Sequence, residues 1–562
     1  MDSLKLKPYE KDPAILSGFG TEDDPFVLDF APGDPKNPQN FPEWRKWLIL
    51  VVIAMATLAV GFSSSAYAGA AGALMERFQV KEVIITLGVS LFVLGFALGP
   101  LVWAPASETV GRSRIFLVSY IPFVAFGAAC GGVKNITGLL ILRFLQGTFG
   151  SSALVNPGGI IADMFNADER GLAMAIFASM PFLGPVLGPI CGGFLGEYAG
   201  YQWVFYMMAI FAGCMACLQI AIVPETYAPY LLEQAALIKS KETGQVYVSK
   251  YLAGKAKQTL TQKLKVTLHR PFILLFMEPI VLLVSIYMAI IYGTLYLEFT
   301  AFPIVFQEER GWKPGVGGLA FIGIGVGMLI GVGLNFWFNA RYVRQAHAHG
   351  GVAPPEARLE MTMLGGIMLP IGLFWFAWTT YPSIPWIVPI LATVPFGCGM
   401  VLLFLSMMNY LVDTYLMHAA SVLAANSVLR SLFGFAFPLF APDMYQTLGT
   451  QWASTLVAFL ALICVPLPFL FFRYGAKIRK LSKHAPEDLH TIMRKRQAEQ
   501  AALSAQLNGE RVSGDDEATL QGRSRGGSRL NVTQIEEGDV QVIDDGEMRE
   551  KDGREGLGVA DT

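Results

Sequence analysis

The chain has 562 residues, of which 53% are hydrophobic and only 15% are charged. Soluble domains carry about 25% charged residues, so a soluble globular fold is excluded. The net charge of −2 says little by itself, because the charges are segregated by region.

Residues 1–46 form a polar N-terminal segment without the charged-then-apolar pattern of a signal peptide, so span 1 is expected to act as an uncleaved anchor. Twelve apolar runs follow, near 47–66, 83–103, 115–133, 138–161, 172–196, 203–223, 273–299, 315–338, 361–380, 385–408, 418–441 and 452–472. Each is long enough to cross roughly 30 Å of hydrocarbon. The predicted fold class is an all-α polytopic membrane protein. Arg45 and Lys46 precede span 1, Arg112 and Arg114 lie between spans 2 and 3, and a lysine-rich connection occupies 224–271. Arg341, Arg344 and Arg358 lie between spans 8 and 9, and Arg473 to Lys483 follow span 12. The alternate loops are short and poor in Lys and Arg. The positive-inside rule then predicts both termini in the cytoplasm.

The 224–271 connection divides the spans into a half at 47–223 and a half at 272–472. The halves echo each other. "AGYQWVFYM" (199–207) opens span 6 and "LGTQWASTL" (448–456) opens span 12. Spans 2 and 8 share spaced glycines and a basic end. Paired six-span halves are a common plan for secondary transporters, with the substrate site at midplane between them. The tail 473–562 turns polar, acidic and Gly/Ser-rich from about 485, and it is expected to be a mostly disordered cytoplasmic segment. All six cysteines fall in apolar runs, so no disulfide framework is legible. His347-x-His349 is no metal site on spacing alone.

Span 5 contains "GPVLGPICGG" (184–193), poor in helix propensity yet inside a segment that must be helical. Gly184, Gly188 and Gly192 form one column, and Pro185, Pro189 and Gly193 form the next. Residues four apart lie roughly 40° apart around a helix, so the glycines make a smooth groove for a close neighbour. The prolines remove ladder hydrogen bonds and bend the helix. A defined bend at a moving seam and tight static packing are both compatible with the pattern.

This stretch resembles the antiporter motif of the major facilitator superfamily. Other signatures stand in order. "GPLVWAPASETVGRSR" (99–114) is similar to the loop 2–3 motif and "LRFLQGTFGSS" (142–152) to the span 4 motif. "DPKNPQNFPEWRKW" (34–47), "PETYAP" (224–229), "YLEFTAFPIVFQEERGW" (296–312) and "NYLVDTYLMHAASVLAANSVLRSLFGFAFPLF" (409–440) resemble signatures of the fungal twelve-span drug:proton antiporters. One departure is visible: the family's Trp-Arg-Trp at span 6 is Tyr201-Gln202-Trp203 here. The resemblance implies the major facilitator fold, two pseudo-symmetric six-helix halves, and export of drugs, fungicides or secondary metabolites and toxins at the plasma membrane. A polyamine exporter and an uptake symporter or facilitator are the alternatives. A non-transporting sensor would need an ordered cytoplasmic domain.

Ionisable residues inside spans are functional candidates. The resemblance assigns Arg143 in span 4 to proton coupling, and Arg112 with Asp163 to a charge relay on the cytoplasmic face. Glu108 and Arg114 are expected in the same cluster. Glu298 near the outer end of span 7 is a further gating candidate, and no single carboxylate stands out as the proton carrier. Tyr292 and Tyr296 lie one turn apart and suit a cavity for a lipophilic compound, or an interfacial aromatic belt. Asn156, Asn409, Asn426 and Arg430 complete the expected cavity set. No enzyme signature, metal site or nucleotide loop is present in the sequence. The expected partners are a small-molecule substrate, protons and the lipid bilayer, with a proton gradient in place of a cofactor, no nucleic acid, and a monomeric chain.

Overall fold

The computed structural model describes residues 13–22, 24–253, 260–348, 354–415 and 418–482. The polar tail from about 485 and the side chains of His347 and His349 lie outside the described residues. Among the described residues, twelve helices are long and apolar enough to cross a membrane. Those of the first half are span 1 (Glu43–Gly69), span 2 (Glu82–Val110), span 3 (Arg112–Gly132), span 4 (Ile136–Met164), span 5 (Glu169–Tyr198) and span 6 (Tyr201–Ile222). Those of the second are span 7 (Pro279–Glu309), span 8 (Pro314–Gln345), span 9 (Pro355–Thr379), span 10 (Ile387–Thr414), span 11 (Ala419–Leu448) and span 12 (Thr450–Arg479).

The expected start of span 7 at 273 is corrected. A separate helix, Leu260–Met277, stops at Glu278, whose extended backbone breaks the run, and Pro279 starts the new helix at its first position. At its far end span 7 closes in a π-helical turn, Pro303–Glu309.

The repeat is visible in burial and in packing. Spans 1 and 7 are the most enclosed, each 83% buried over its apolar window, whereas spans 6 and 12 are 33% and 39% buried. Span 1 packs on span 5 as span 7 packs on span 11, and span 2 on span 4 as span 8 on span 10. The halves meet through two related seams, span 2 against span 11 and span 5 against span 8. One end of the bundle carries loop 2–3, the central connection and the 8–9 connection; it is called the basic face below.

A small sheet on the basic face ties the N-terminal segment to the central connection. Strand β1 (Ala14–Ser17) pairs antiparallel with β2 (Phe26–Asp29), and β2 pairs parallel with β3 (Tyr247–Ser249). Leu28 is fully buried beneath it, and Lys250 Nζ meets Asp29 Oδ2 at 2.6 Å.

Candidate functional site between the two halves

Span 5 answers the question posed by its own sequence. A Cβ at Gly184 would lie 2.6 Å from the Phe62 backbone nitrogen, and one at Gly188 would lie 2.6 Å from that of Ala66, both in span 1. Gly192 faces the Ala66 carbonyl in the same way. The neighbouring column turns to the other half. A Cβ at Gly193 would lie 2.6 Å from the Pro314 carbonyl oxygen, and one at Gly318 would lie 2.5 Å from the Pro189 carbonyl oxygen, Pro314 and Gly318 being in span 8. Pro185 packs its ring on Gly61 of span 1. The motif is therefore wedged between a neighbour in its own half and one in the opposite half. Small residues allow both approaches at backbone distance.

Arg143 is fully buried. The bare sequence asks for a carboxylate, a carbonyl or water beside it, and backbone carbonyls answer. Nη1 donates to Ser63 O at 2.9 Å and to Gln146 Oε1 at 3.1 Å, Nη2 to Ser64 O at 3.2 Å, and Nε to Gly88 O at 3.2 Å. The guanidinium is sandwiched by the rings of Phe92 at 4.3 Å and Tyr67 at 4.9 Å. These contacts fix span 4 to spans 1 and 2 at one level. Planar donors and aromatic faces suit Arg here and would suit Lys poorly.

The same level of span 1 touches the second half. Ser64 Oγ and Tyr296 Oη are 3.1 Å apart, and Tyr292 Oη donates to Tyr296 Oη at 3.4 Å. Both tyrosines are buried, so they are not an interfacial belt. The Arg430 guanidinium lies over the Tyr292 ring at 4.8 Å and nearer than 6 Å to Phe404. Phe404 in turn meets Phe182 of span 5 at 5.2 Å between centroids. A continuous chain thus runs from Arg143 through Ser64, Tyr296 and Tyr292 to Arg430, crossing from one half to the other. Asn426, one turn before Arg430, is fully buried and donates through Nδ2 to Ser285 Oγ at 3.3 Å. Glu298 is buried, with Oε2 free of any hydrogen bond among the described residues. A cavity of about 160 Å³ reaches from the face opposite the basic one down to Tyr296 and Phe299, with Glu82, Glu197 and Glu308 among its walls.

Asn156 is buried within span 4, where Nδ2 donates to Ser152 Oγ at 2.8 Å. Asn409 lies elsewhere: it is exposed at the end of span 10 and lines a small crevice on the basic face with Arg358 and Asn335. It stands five residues before the helix end at Thr414, close to the basic face.

On the basic face Arg112 and Asp163 meet, Nε to Oδ2, at 2.7 Å. Glu108 stands at the edge of this cluster, near enough for its charge to act on the Tyr227 phenol. It is exposed and makes no ion pair among the described residues. Arg114 bonds to Tyr230 instead. The second carboxylate of the cluster is Glu225, of the "PETYAP" stretch. Its Oε1 accepts from the backbone N–H groups of Arg112 at 2.9 Å and of Thr226 and Tyr227 at 3.0 Å. Tyr227 lies under the Arg112 guanidinium at 4.8 Å. Burial raises the Tyr227 phenol above its ordinary range.

The second half repeats the pair. Arg358, entering span 9, meets Asp413, ending span 10, at 3.1 Å, and its guanidinium lies 3.5 Å over the Tyr342 ring. The two pairs occupy corresponding places, the start of spans 3 and 9 and the end of spans 4 and 10. The sequence contained this signal: Asp413 stands in the stretch 409–440, and Arg358 precedes span 9, with opposite charges at span ends six spans on. Arg479 and Glu356 add a buried pair at 3.0 Å.

Comparison with known proteins agrees with this architecture. The family profile for the Major Facilitator Superfamily matches residues 53–438. "MFS-type efflux pump MFS2" of Trichophyton rubrum is 56% identical over 490 residues, covering 87% of this chain and 82% of its own length. "Major facilitator superfamily multidrug transporter mdrA" of Aspergillus fumigatus is 55% identical, covering 85% and 79%. "Efflux pump FUB11" of Gibberella moniliformis is 50% identical, covering 85% and 81%. Among solved structures, the partially occluded inward-open xylose transporter XylE of E. coli matches with a TM-score of 0.55 at 17% identity, covering 77% of this chain and 98% of that one. That likeness concerns the fold. Twelve spans in two repeated halves, the matched profile and relatives above half identity place the chain in the major facilitator superfamily of membrane transporters.

Proposed function

We propose that this protein exports small lipophilic compounds in exchange for protons, by alternating access, at the plasma membrane with both termini in the cytoplasm. The observation that carries the reading is the position of Arg143. It is bound to the span 1 backbone at Ser63 and Ser64, and the Ser64 hydroxyl is the polar contact to Tyr296 of the other half. A change in how span 1 is held therefore reaches the seam directly. The efflux names of the relatives support the direction of transport.

The energetics suffice. One proton entering across ~100 mV releases about 2.3 kcal/mol, and one pH unit adds about 1.4 kcal/mol. Together these hold a neutral compound at a gradient of several hundred-fold. The test uses reconstituted vesicles with an imposed pH gradient and three compounds: a lipophilic drug, spermidine and an aromatic natural product. Accumulation against the proton flow that protonophore abolishes is the expected result, and spermidine tests the polyamine alternative. Arg143→Ala abolishes exchange while the protein still reaches the membrane. Movement only down each compound's own gradient, indifferent to protonophore, would mean a facilitator.

A further inference from the structure

Two arginines stand at the ends of the chain through Ser64, Tyr296 and Tyr292, Arg143 in the first half and Arg430 in the second, and they differ in their partners. Arg143 spends its donors on three carbonyls and an amide. Arg430 makes no hydrogen bond or ion pair to any described residue, and its Nε is buried without a partner. Rings alone face it, Tyr292 at 4.8 Å and Phe404 at 5.7 Å. The amide of Asn426, one turn away, is already turned to Ser285 and Met288. Glu298, a carboxylate in the same span as Tyr292, forms no ion pair with Arg430 among the described residues. The side chain is half-buried, and its sealed Nε leaves the guanidinium only partly compensated. Ring faces offset part of that cost, and an anion supplies the rest. The aromatic surfaces around it come from both halves, with Phe182 of span 5 on Phe404 of span 10, and Phe404 beside Tyr292.

We infer that Arg430 is an anion-recognising group, and that the preferred cargo is an amphipathic aromatic weak acid. Its acidic oxygens sit on the free guanidinium edge and its ring lies among Tyr292, Tyr296 and Phe404. For transport this rests on the exporter reading above; for binding it does not. An anionic cargo also fits export energetically, since an inside-negative potential drives anions outward. The carboxylates lining the opposite-face cavity disfavour its return.

The test measures equilibrium binding to the full chain in nanodiscs at pH 7.5, where a carboxyl of ordinary pKa near ~4.3 is ionised. The probes share one alkyl-phenyl scaffold and end in a carboxylate, a primary amide or an ammonium group. The carboxylate is expected to bind on the order of ten-fold tighter than the amide, and the ammonium compound most weakly. Arg430→Gln brings the carboxylate-to-amide ratio close to one, and Arg430→Lys keeps part of the preference because the charge remains without the planar fork. Equal binding of carboxylate and amide by the unaltered protein overturns the inference, as does a preference that survives Arg430→Gln. If Arg430→Gln does not fold, the unaltered protein and the Lys variant still decide. Failure of the exporter reading looks different: the carboxylate binds in an Arg430-dependent way, yet none of the probes accumulates in energised vesicles.

Discussion

Replacing Gly193 by alanine should open the span 5 to span 8 seam, whereas the same change at Gly188 should not. The added Cβ at Gly193 would stand 2.6 Å from the Pro314 carbonyl oxygen and 3.1 Å from the Gly315 Cα. Ordinary contact begins near 3.4 Å, so the partner must retreat by 3.4 − 2.6 = 0.8 Å. Backbone cannot rotate away as a side chain does, and overpacking of this kind costs about 1–3 kcal/mol. That cost falls only on the state in which the seam is closed, so it shifts the open-to-closed ratio by roughly 5- to 150-fold. At Gly188 the clash is with the Ser65 hydroxyl and the Ala66 backbone of span 1, inside the same half. Rigid halves cannot relieve it by rocking, so it lowers thermal stability without a change of state. Spin labels at Tyr198 and Val316, which are exposed at 75% and 41% beside the seam, report the separation as a distance distribution. A Gly193→Ala protein with an unchanged distribution, or a Gly188→Ala protein that opens as far, would refute the division of the motif into two packing columns.

Other consequences follow from the same contacts. Ser64→Ala and Tyr296→Phe should each weaken the seam by about 1 kcal/mol, and a double-mutant cycle read by melting in detergent should return a coupling of about 0.5–1.5 kcal/mol, because the two hydroxyls share one bond. Arg143→Lys should abolish proton-coupled transport while the protein remains folded, since a single ammonium cannot reach the carbonyls of Ser63, Ser64 and Gly88 together; normal coupling in that variant counts against the role. Asp163→Asn and Asp413→Asn should each loosen the end of its own half on the basic face, and cysteine-accessibility labelling beside the pair should rise several-fold in both, because each partly buried arginine loses its carboxylate. Leu28→Ala should destabilise the small sheet by about 2–3 kcal/mol and speed proteolysis within residues 13–33, with the twelve spans intact.

The spans were legible because a membrane segment announces itself by length and apolarity alone. The antiporter motif was legible as an anomaly, since no propensity argument explains prolines at 185 and 189 in a helix that lipid requires. What composition could not supply was pairing. Glu225 and Arg112 are 113 residues apart, so nothing local joins them, while Glu108 is exposed at the edge of the same cluster. Strand β3 has only three residues and pairs with a segment over 200 residues earlier, so nothing local marks it. Asn409 carried the composition of a site residue, but it stands five residues from the helix end at Thr414 and lines a crevice on the basic face. Arg143 was found by its cost in lipid, while its partners are backbone atoms, which no sequence pattern lists.

The two ends of the bundle are built from different chemistry. On the basic face, Arg112 with Asp163 and Arg358 with Asp413 stand at corresponding places in the repeat. Each guanidinium also lies over a tyrosine ring, Tyr227 in one half and Tyr342 in the other. At the other end, Gly193 and Pro189 meet Pro314 and Gly318 with no charge involved. An ion pair responds to salt and to the protonation of its carboxylate, and close packing of small residues responds only to shape. Each ion pair ties spans within one half, so solution chemistry acts at the basic face on the shape of a half, whereas the small-residue contacts set the seam between the halves. Between them the Ser64–Tyr296 contact is short enough to be a hydrogen bond and too weak to hold the halves alone. A ligand that takes either hydroxyl therefore changes the balance between the two ends without having to break a strong bond.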